Sequence, residues 1–288
     1  MRYPSIKLND AVVLVTGGGR GIGAAAARLF AERGATVWLG DLDVDVAATT
    51  AREIGPSAHA HPLDVTERDS FRAFAQAAID QHDRIDVLVN NAGVMPIGDF
   101  IDEPDATSAT TIDVNVWGLI NGMRTVLPHM IGRTRGHVVN VASMAGKFPV
   151  PGLAVYNASK FAALGLSLAI REEYADTGVS VSAVLPSAVR TRLSSGIPLG
   201  HGMPTVDPDD VARAIVRSVS RRRAEIPVPG YLAGWDLLSA VTPEPVMRLA
   251  RKALGDRRGL TSVDAVTRDA YQRAIDGQTQ SRNQGAAS

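Results

Sequence analysis

Tyr156 and Lys160 stand four residues apart at the head of a stretch patterned as a helix over residues 156–177. That spacing puts both side chains on one helix face. A phenol with its ordinary pKa of ~10 is a poor base at neutral pH. An ammonium group beside it stabilises the phenolate and lowers that pKa, so the pair makes an acid/base unit able to move a proton to or from a carbinol oxygen. Alone, a tyrosine and a lysine at this spacing are ordinary helix-surface residues. What gives them weight is a second constellation, Thr16-Gly17-Gly18-Gly19-Arg20-Gly21-Ile22-Gly23, set between an apolar run over 12–15 and a helix pattern over 22–33. Strand, glycine turn and helix start let the backbone approach a pyrophosphate, and the free N–H groups of the helix start bind its charge. Two registers fit, Gly19-x-Gly21-x-x-Ala24 and Gly17-x-x-x-Gly21-x-Gly23, and the turn alone does not separate them. Asp41 closes the second apolar run, 20 residues after Gly21. A carboxylate there accepts from the adenosine ribose hydroxyls and repels a 2′-phosphate, which favours NAD and leaves NADP as the alternative. Arg20 is a counter-signal, since a guanidinium could meet that phosphate, but Leu42 and Asp43 add no positive charge. Asp43 suits the cap of the following helix.

These groups need a scaffold, and the hydropathy pattern supplies one. Short β-rich runs at 12–15, 36–39, 87–89, 137–141, 179–184 and 225–228, with a weaker one at 58–61, alternate with helix patterns at 22–33, 43–54, 67–82, 106–131, 156–177 and 208–220. The runs at 12–15 and 87–89 are continuously apolar, as strands buried on both faces are. Strand–helix alternation predicts right-handed crossovers and a parallel sheet covered by helices on both faces. Thr66 marks a helix start, Asp207-Pro208 a cap followed by proline at the first helical position, and Gly34 and Gly178 helix stops.

The ordered set Thr16 to Gly23, Asp64-Val65, Asn90-Asn91-Ala92-Gly93, Asn115, Ser143 and Tyr156-x-x-x-Lys160 resembles the short-chain dehydrogenase/reductase family over residues 10–228. The order of the motifs, more than any one of them, carries the resemblance. It implies a Rossmann-type doubly wound α/β domain with a seven-stranded parallel sheet and a homodimer or homotetramer. It also implies the glycine register Gly17, Gly21, Gly23. Residue by residue, the resemblance makes Tyr156 the proton donor and acceptor, and Lys160 the group that lowers its pKa and binds the nicotinamide ribose. Ser143 would hydrogen-bond the substrate oxygen and Asn115 would hold a water continuing the proton path. Asp64 and Val65 would flank the adenine, with Asp64 bonding its amino group. Asn91, Ala92 and Gly93 would run beside the adenosine half. Pro186, Val189 and Thr191 would lie along the nicotinamide, and Gly19, Arg20 and Ile22 complete the phosphate turn. One departure stands out: Pro186-Ser187 replaces the family's Pro-Gly, and a side chain there would narrow the nicotinamide floor or add a hydroxyl near the substrate.

Residues 94–97, 144–148, 150–153 and 193–203 are mostly apolar and form the expected substrate walls, through Met95, Ala145, Phe148, Leu153 and Leu193. An apolar pocket with a few polar anchors suits a lipophilic secondary alcohol or ketone. Residues 1–230 read as the catalytic domain, 231–277 as a helical extension, and 278–288, rich in Gln, Gly, Ala and Ser, as a disordered tail. Within the extension, Val246, Met247, Ala250 and Leu254 share a helix face, and residues 244–260 hold five basic and two acidic side chains. Such a helix packs over the active site, against another subunit, or on a membrane surface.

The whole chain of 288 residues carries 30 basic and 30 acidic side chains and no cysteine. Balanced charge argues against a nucleic-acid partner. Lack of cysteine excludes disulfides, thiolate zinc sites and a cysteine nucleophile. The histidines show no metal-ligand spacing. No apolar run is long enough to cross a bilayer and the start MRYPSIKLND has no signal-peptide core, so a cytoplasmic protein is expected. Arg221-Arg222-Arg223, at a helix end, are expected to serve the helix dipole and face solvent. Two other functions compete with NAD-dependent oxidoreduction. One is a non-catalytic dinucleotide-binding sensor or scaffold, which would not need the full acid/base set. The other is a reductase held at a membrane by the basic C-terminal helix.

Overall fold

A computed structural model describes residues 3–195 and 204–235, together with Leu237, Leu238, Thr242, Pro243 and Pro245. The expected basic helix face at Val246, Met247, Ala250 and Leu254, the 278–288 tail and most of the 193–203 wall lie outside the described residues.

Seven strands form one parallel sheet: β1 (Val12–Thr16), β2 (Thr36–Asp41), β3 (Ala58–Pro62), β4 (Val87–Asn90), β5 (Gly136–Val141), β6 (Val179–Pro186) and β7 (Glu225–Val228). Their order across the sheet is β3-β2-β1-β4-β5-β6-β7. The order reverses between β1 and β4, and in an open α/β sheet ligands bind outside the carboxyl ends of the strands at that switch point.

The continuous apolar runs have a direct cause. Alternate residues of one strand enter two different cores: Val13 and Val15 pack with Phe30, Leu39, Val89 and Ile215 on one face. Val12 and Leu14 pack with Phe71, Phe74, Leu88 and Met130 on the other. The helices that cover these faces are α1 (Gly21–Ala31), α2 (Val44–Ile54), α3 (Arg68–His82), α4 (Asp105–Ile112), α5 (Gly118–Gly132), α6 (Ala154–Glu173) and α7 (Pro208–Arg221). A two-residue pair, Ala188–Val189 with Thr205–Val206, follows β6.

The helix ends follow local chemistry. Asp43 caps α2 by accepting from the Val46 N–H at 3.3 Å. Asp207 and Asp210 form a reciprocal capping box at α7, with Pro208 at the first helical position. Gly34 and Gly178 take the left-handed backbone expected of helix stops, φ +84° and +80°. At the edge of the sheet, the Ala183 and Ser187 N–H groups donate to the Ala224 and Val228 carbonyls. Strand alternation therefore turns the backbone nitrogens of Glu225 and Pro227 outward.

Three expectations need correction. The single helix over 106–131 is interrupted by a π-turn at Asp113–Trp117, because Asn115 turns its side chain onto the Val94 backbone. The helix expected to begin at Thr66 begins at Arg68 instead, since the Thr66 N–H and hydroxyl both donate to Asp64 Oδ1. Arg222 is not solvated: its side chain is buried and donates to the Gly136 carbonyl at 3.0 Å and to Ser180 Oγ at 2.6 Å. Its backbone, at φ +51°, is the left-handed cap of α7, and this turns the side chain inward. At the Pro186-Ser187 departure, the Ser187 hydroxyl donates to the Pro204 carbonyl at 2.6 Å.

Candidate active site

At the carboxyl end of β1 the chain makes the glycine turn, and the structure separates the two registers. Gly17 and Gly21 have φ of +61° and +55°, a region that favours glycine. A Cβ on Gly23 would stand 2.1 Å from the Gly17 carbonyl oxygen, so α1 can pack on the turn only with glycine there. Gly18 and Gly19 are crowded too, by Leu39 and Asp41, but the left-handed backbone at Gly17 and Gly21 together with the Gly23 contact matches the register Gly17, Gly21, Gly23. The turn is clasped from β4. Asn91 Nδ2 donates to the Thr16 and Gly17 carbonyls at 2.9 and 3.1 Å. Thr16 Oγ1 accepts from the Asn91 and Ala92 N–H groups at 2.9 and 3.0 Å. Ile22, the first α1 residue past Gly21, is half-buried against the core.

Asp41, at the end of β2, accepts the Gly19 N–H on Oδ2 at 2.9 Å and the Asp43 N–H on Oδ1 at 3.1 Å. The carboxylate thus borders the turn, as the sequence requires. Arg20 is drawn to Asp43 at 2.9 Å, which removes much of its force as a signal for an extra phosphate. Asp64 holds a turn through Thr66, and Val65 is buried with its carbonyl accepting from Asn121 Nδ2 at 3.0 Å.

The second half of the cleft lies at the ends of β4, β5 and β6. Tyr156 and Lys160 sit in the first turns of α6, and both are buried. Lys160 Nζ lies 5.6 Å from the centre of the Tyr156 ring and donates to the Val141 carbonyl at 3.0 Å. Burial pulls the lysine down from 10.5 to about 8. Gly93 comes close to both polar groups beside it: a Cβ there would be 3.2 Å from Asn115 Oδ1 and 3.7 Å from Lys160 Nζ. Both amide hydrogens of Asn115 are engaged, with the Val94 carbonyl at 2.9 Å and Ser159 Oγ at 3.0 Å. Its side chain therefore fixes the Val94 backbone. Ser143 Oγ accepts from the Ala145 N–H at 3.1 Å and faces the Pro186 carbonyl at 3.4 Å. Past β6, Val189 lies in the short strand pair and Thr191 caps the turn Arg192–Ser194. Thr191 overhangs the phosphate turn, its Cγ2 3.5 Å from a Cβ built on Gly21.

The expected substrate residues divide. Met95, Ala145 and Tyr156 form one buried apolar cluster, with Ile97, Leu153 and Leu193 packed against it. Phe148 turns away to meet Trp235, ring centres 5.0 Å apart. Among the described residues no group of three or more His, Cys, Asp or Glu could hold a metal ion.

Residues 11–199 match the family model for short chain dehydrogenases. The chain belongs to the short-chain dehydrogenase/reductase family. Oxidoreductase UcpA of Salmonella typhimurium is 36% identical over 234 residues, spanning 80% of this chain and 88% of the relative. Mouse estradiol 17-beta-dehydrogenase 11 is 31% identical over 246 residues, spanning 83% and 82%. Among solved structures, a Burkholderia phymatum short chain dehydrogenase/reductase in complex with NAD superposes with a TM-score of 0.74 at 25% identity, covering 81% of this chain and 93% of that one. This short-chain dehydrogenase/reductase is thus an oxidoreductase built on a nucleotide-binding fold.

Two residues that brace the surroundings of its site have roles the sequence does not assign. Thr16 ends an apolar strand like any threonine, and only the placement of β4 beside it makes its oxygen the clasp for Asn91 and Ala92. Asn157 stands inside the Tyr156–Lys160 motif, where an amide reads as a polar filler, yet it is 6% exposed and fully bonded.

Proposed function

We propose that the protein interconverts a lipophilic secondary alcohol and its ketone, with NAD as hydride carrier. The observation that carries this reading is the buried Lys160 ammonium over the Tyr156 ring, inside an apolar cluster and across from a glycine cradle. The cradle fits a dinucleotide: Gly17, Gly21 and Gly23 leave the backbone bare, and α1 points its N-terminal N–H groups into the turn. Asp41 would bond the adenosine ribose hydroxyls, and Lys160 the nicotinamide ribose. When bound, the nicotinamide would supply the two-electron acceptor for the hydride leaving the carbinol carbon.

The chain's own residues manage the proton. Ser143 holds the substrate oxygen. The Tyr156 phenolate takes the hydroxyl proton as the C–H bond breaks, leaving a ketone and a neutral phenol. The Lys160 ammonium stabilises the phenolate before that transfer. In the reduction direction each transfer reverses. The apolar cluster around Tyr156 supports a lipophilic substrate. The half-exposed Trp117 and Phe161, at the end of the π-turn and on α6, support a homo-oligomer such as a homotetramer. No helix among the described residues is long and apolar enough to cross a membrane, and we propose a cytoplasmic enzyme.

The test is a panel of aliphatic, terpenoid, steroid and aromatic secondary alcohols and ketones, followed by nicotinamide absorbance with each cofactor. Turnover with a lipophilic secondary alcohol and NAD is expected, and nicotinamide binding without any turnover would favour a sensor instead. Asp41→Ala should cut the preference for NAD over NADP at least roughly tenfold in kcat/KM, by removing a charge opposed to the 2′-phosphate. An unchanged ratio would reject this account of the carboxylate.

A further inference from the structure

We propose that Asn157 is a positioning residue that sets the substrate wall, and through it the enzyme's preference for bulky, lipophilic alcohols. The proposal rests on reading Tyr156 as the acid/base group. The wall is the strap from Ala145 to Val150, which has no regular structure after the turn Met144–Gly146. Such a strap would be free to shift unless something pinned its backbone. Asn157, directly after Tyr156 on α6, does this with its entire amide. Nδ2 donates to the Ala145 carbonyl at 2.7 Å and to the Phe148 carbonyl at 3.0 Å. Oδ1 accepts the Val150 N–H at 3.1 Å. The three contacts hold the start, middle and end of the strap to the helix turn that carries the phenol.

A separate observation shows how closely the strap is held. Gly146 approaches the α6 backbone so tightly that a Cβ would lie 2.6 Å from the Lys160 carbonyl oxygen. Asn157 and Gly146 are thus two rungs between the strap and α6, one polar and one steric. Ala145 packs in the Tyr156 cluster on one side, and Phe148 meets Trp235 at a tilt on the other. Moving the strap therefore changes the wall met by the lipophilic part of the substrate. The side-chain bonds of Asn157 run to the strap and not to Lys160 or the glycine turn.

The test compares wild type, Asn157→Ala and Asn157→Asp with a bulky lipophilic secondary alcohol and with 2-propanol. Asn157→Ala removes all three bonds, and Asn157→Asp keeps the acceptor for Val150 while losing the two bonds donated by Nδ2. In both, KM for the bulky alcohol should rise roughly tenfold. The kcat values, and both constants for 2-propanol, should change less than about twofold. Hydrogen exchange of the Val150 amide should accelerate in Asn157→Ala whether or not turnover is followed. A purely structural role would lower thermal stability while leaving the KM ratio between the two alcohols untouched, and that result overturns the proposal. Unaltered Val150 exchange overturns it as well. A wild-type protein that oxidises neither alcohol instead rejects the proposed function, and the exchange measurement still decides whether Asn157 holds the strap.

Discussion

Tyr156→Phe is expected to bind NAD as the wild type does and to turn over alcohol roughly a thousandfold more slowly, the size of a lost general acid/base. The substitution removes one oxygen from a side chain whose ring is buried with Met95 and Ala145, so packing and the neighbouring glycine turn are preserved. NADH affinity, read by fluorescence titration, should stay within about twofold, and kcat should carry nearly all the loss. Retention of more than about a tenth of wild-type kcat would mean that another group moves the proton.

Lys160→Met should lose activity on a similar scale and yet be the more stable protein near neutral pH. Burial lowers the folded-state pKa from 10.5 to about 8. The unfolded chain therefore holds this proton more tightly than the folded one. Below about pH 8 the wild type bears the full cost of a buried ammonium, and the cost fades as pH rises toward the unfolded value. A shift of this size corresponds to roughly 3 kcal/mol. Methionine escapes it but leaves the Val141 carbonyl without its Lys160 donor, at about 1–2 kcal/mol. The net gain should be about 1–2 kcal/mol near pH 7, and it should reverse toward about pH 10. Urea unfolding of both proteins at the two pH values measures this. A stability difference independent of pH would show that Lys160 is not the buried ammonium described.

Much of the scaffold is legible in the sequence because each interior strand enters two cores and so reads as an unbroken apolar run. β3 is faint for the complementary reason: Ala58–Pro62 is an edge with no fully buried residue, and its histidines dilute the apolar pattern. The π-turn at Asp113–Trp117 is hidden because the apolar period continues through it, and only the Val94 backbone on another element draws Asn115 aside. Among three consecutive arginines nothing in the residue type singles out Arg222, whose burial follows from a left-handed cap. The proposed chemistry of the site rests on Tyr156, Lys160 and the glycines, whose spacing is local. What the sequence withholds is the direction of small polar groups: Ser187 toward Pro204, Asn115 toward Val94, Asn157 across the strap. Each of these partners is set by packing between distant segments.

Pro227 has a consequence for how copies of this chain can meet. Its ring nitrogen, facing out from the last strand, offers no donor to an incoming strand. A second sheet laid against that rim would find its ladder broken at the first rungs, which discourages fibril-like growth. Self-association at that rim is thereby steered away from backbone pairing and toward side-chain contacts between helical surfaces, where stoichiometry can close on itself.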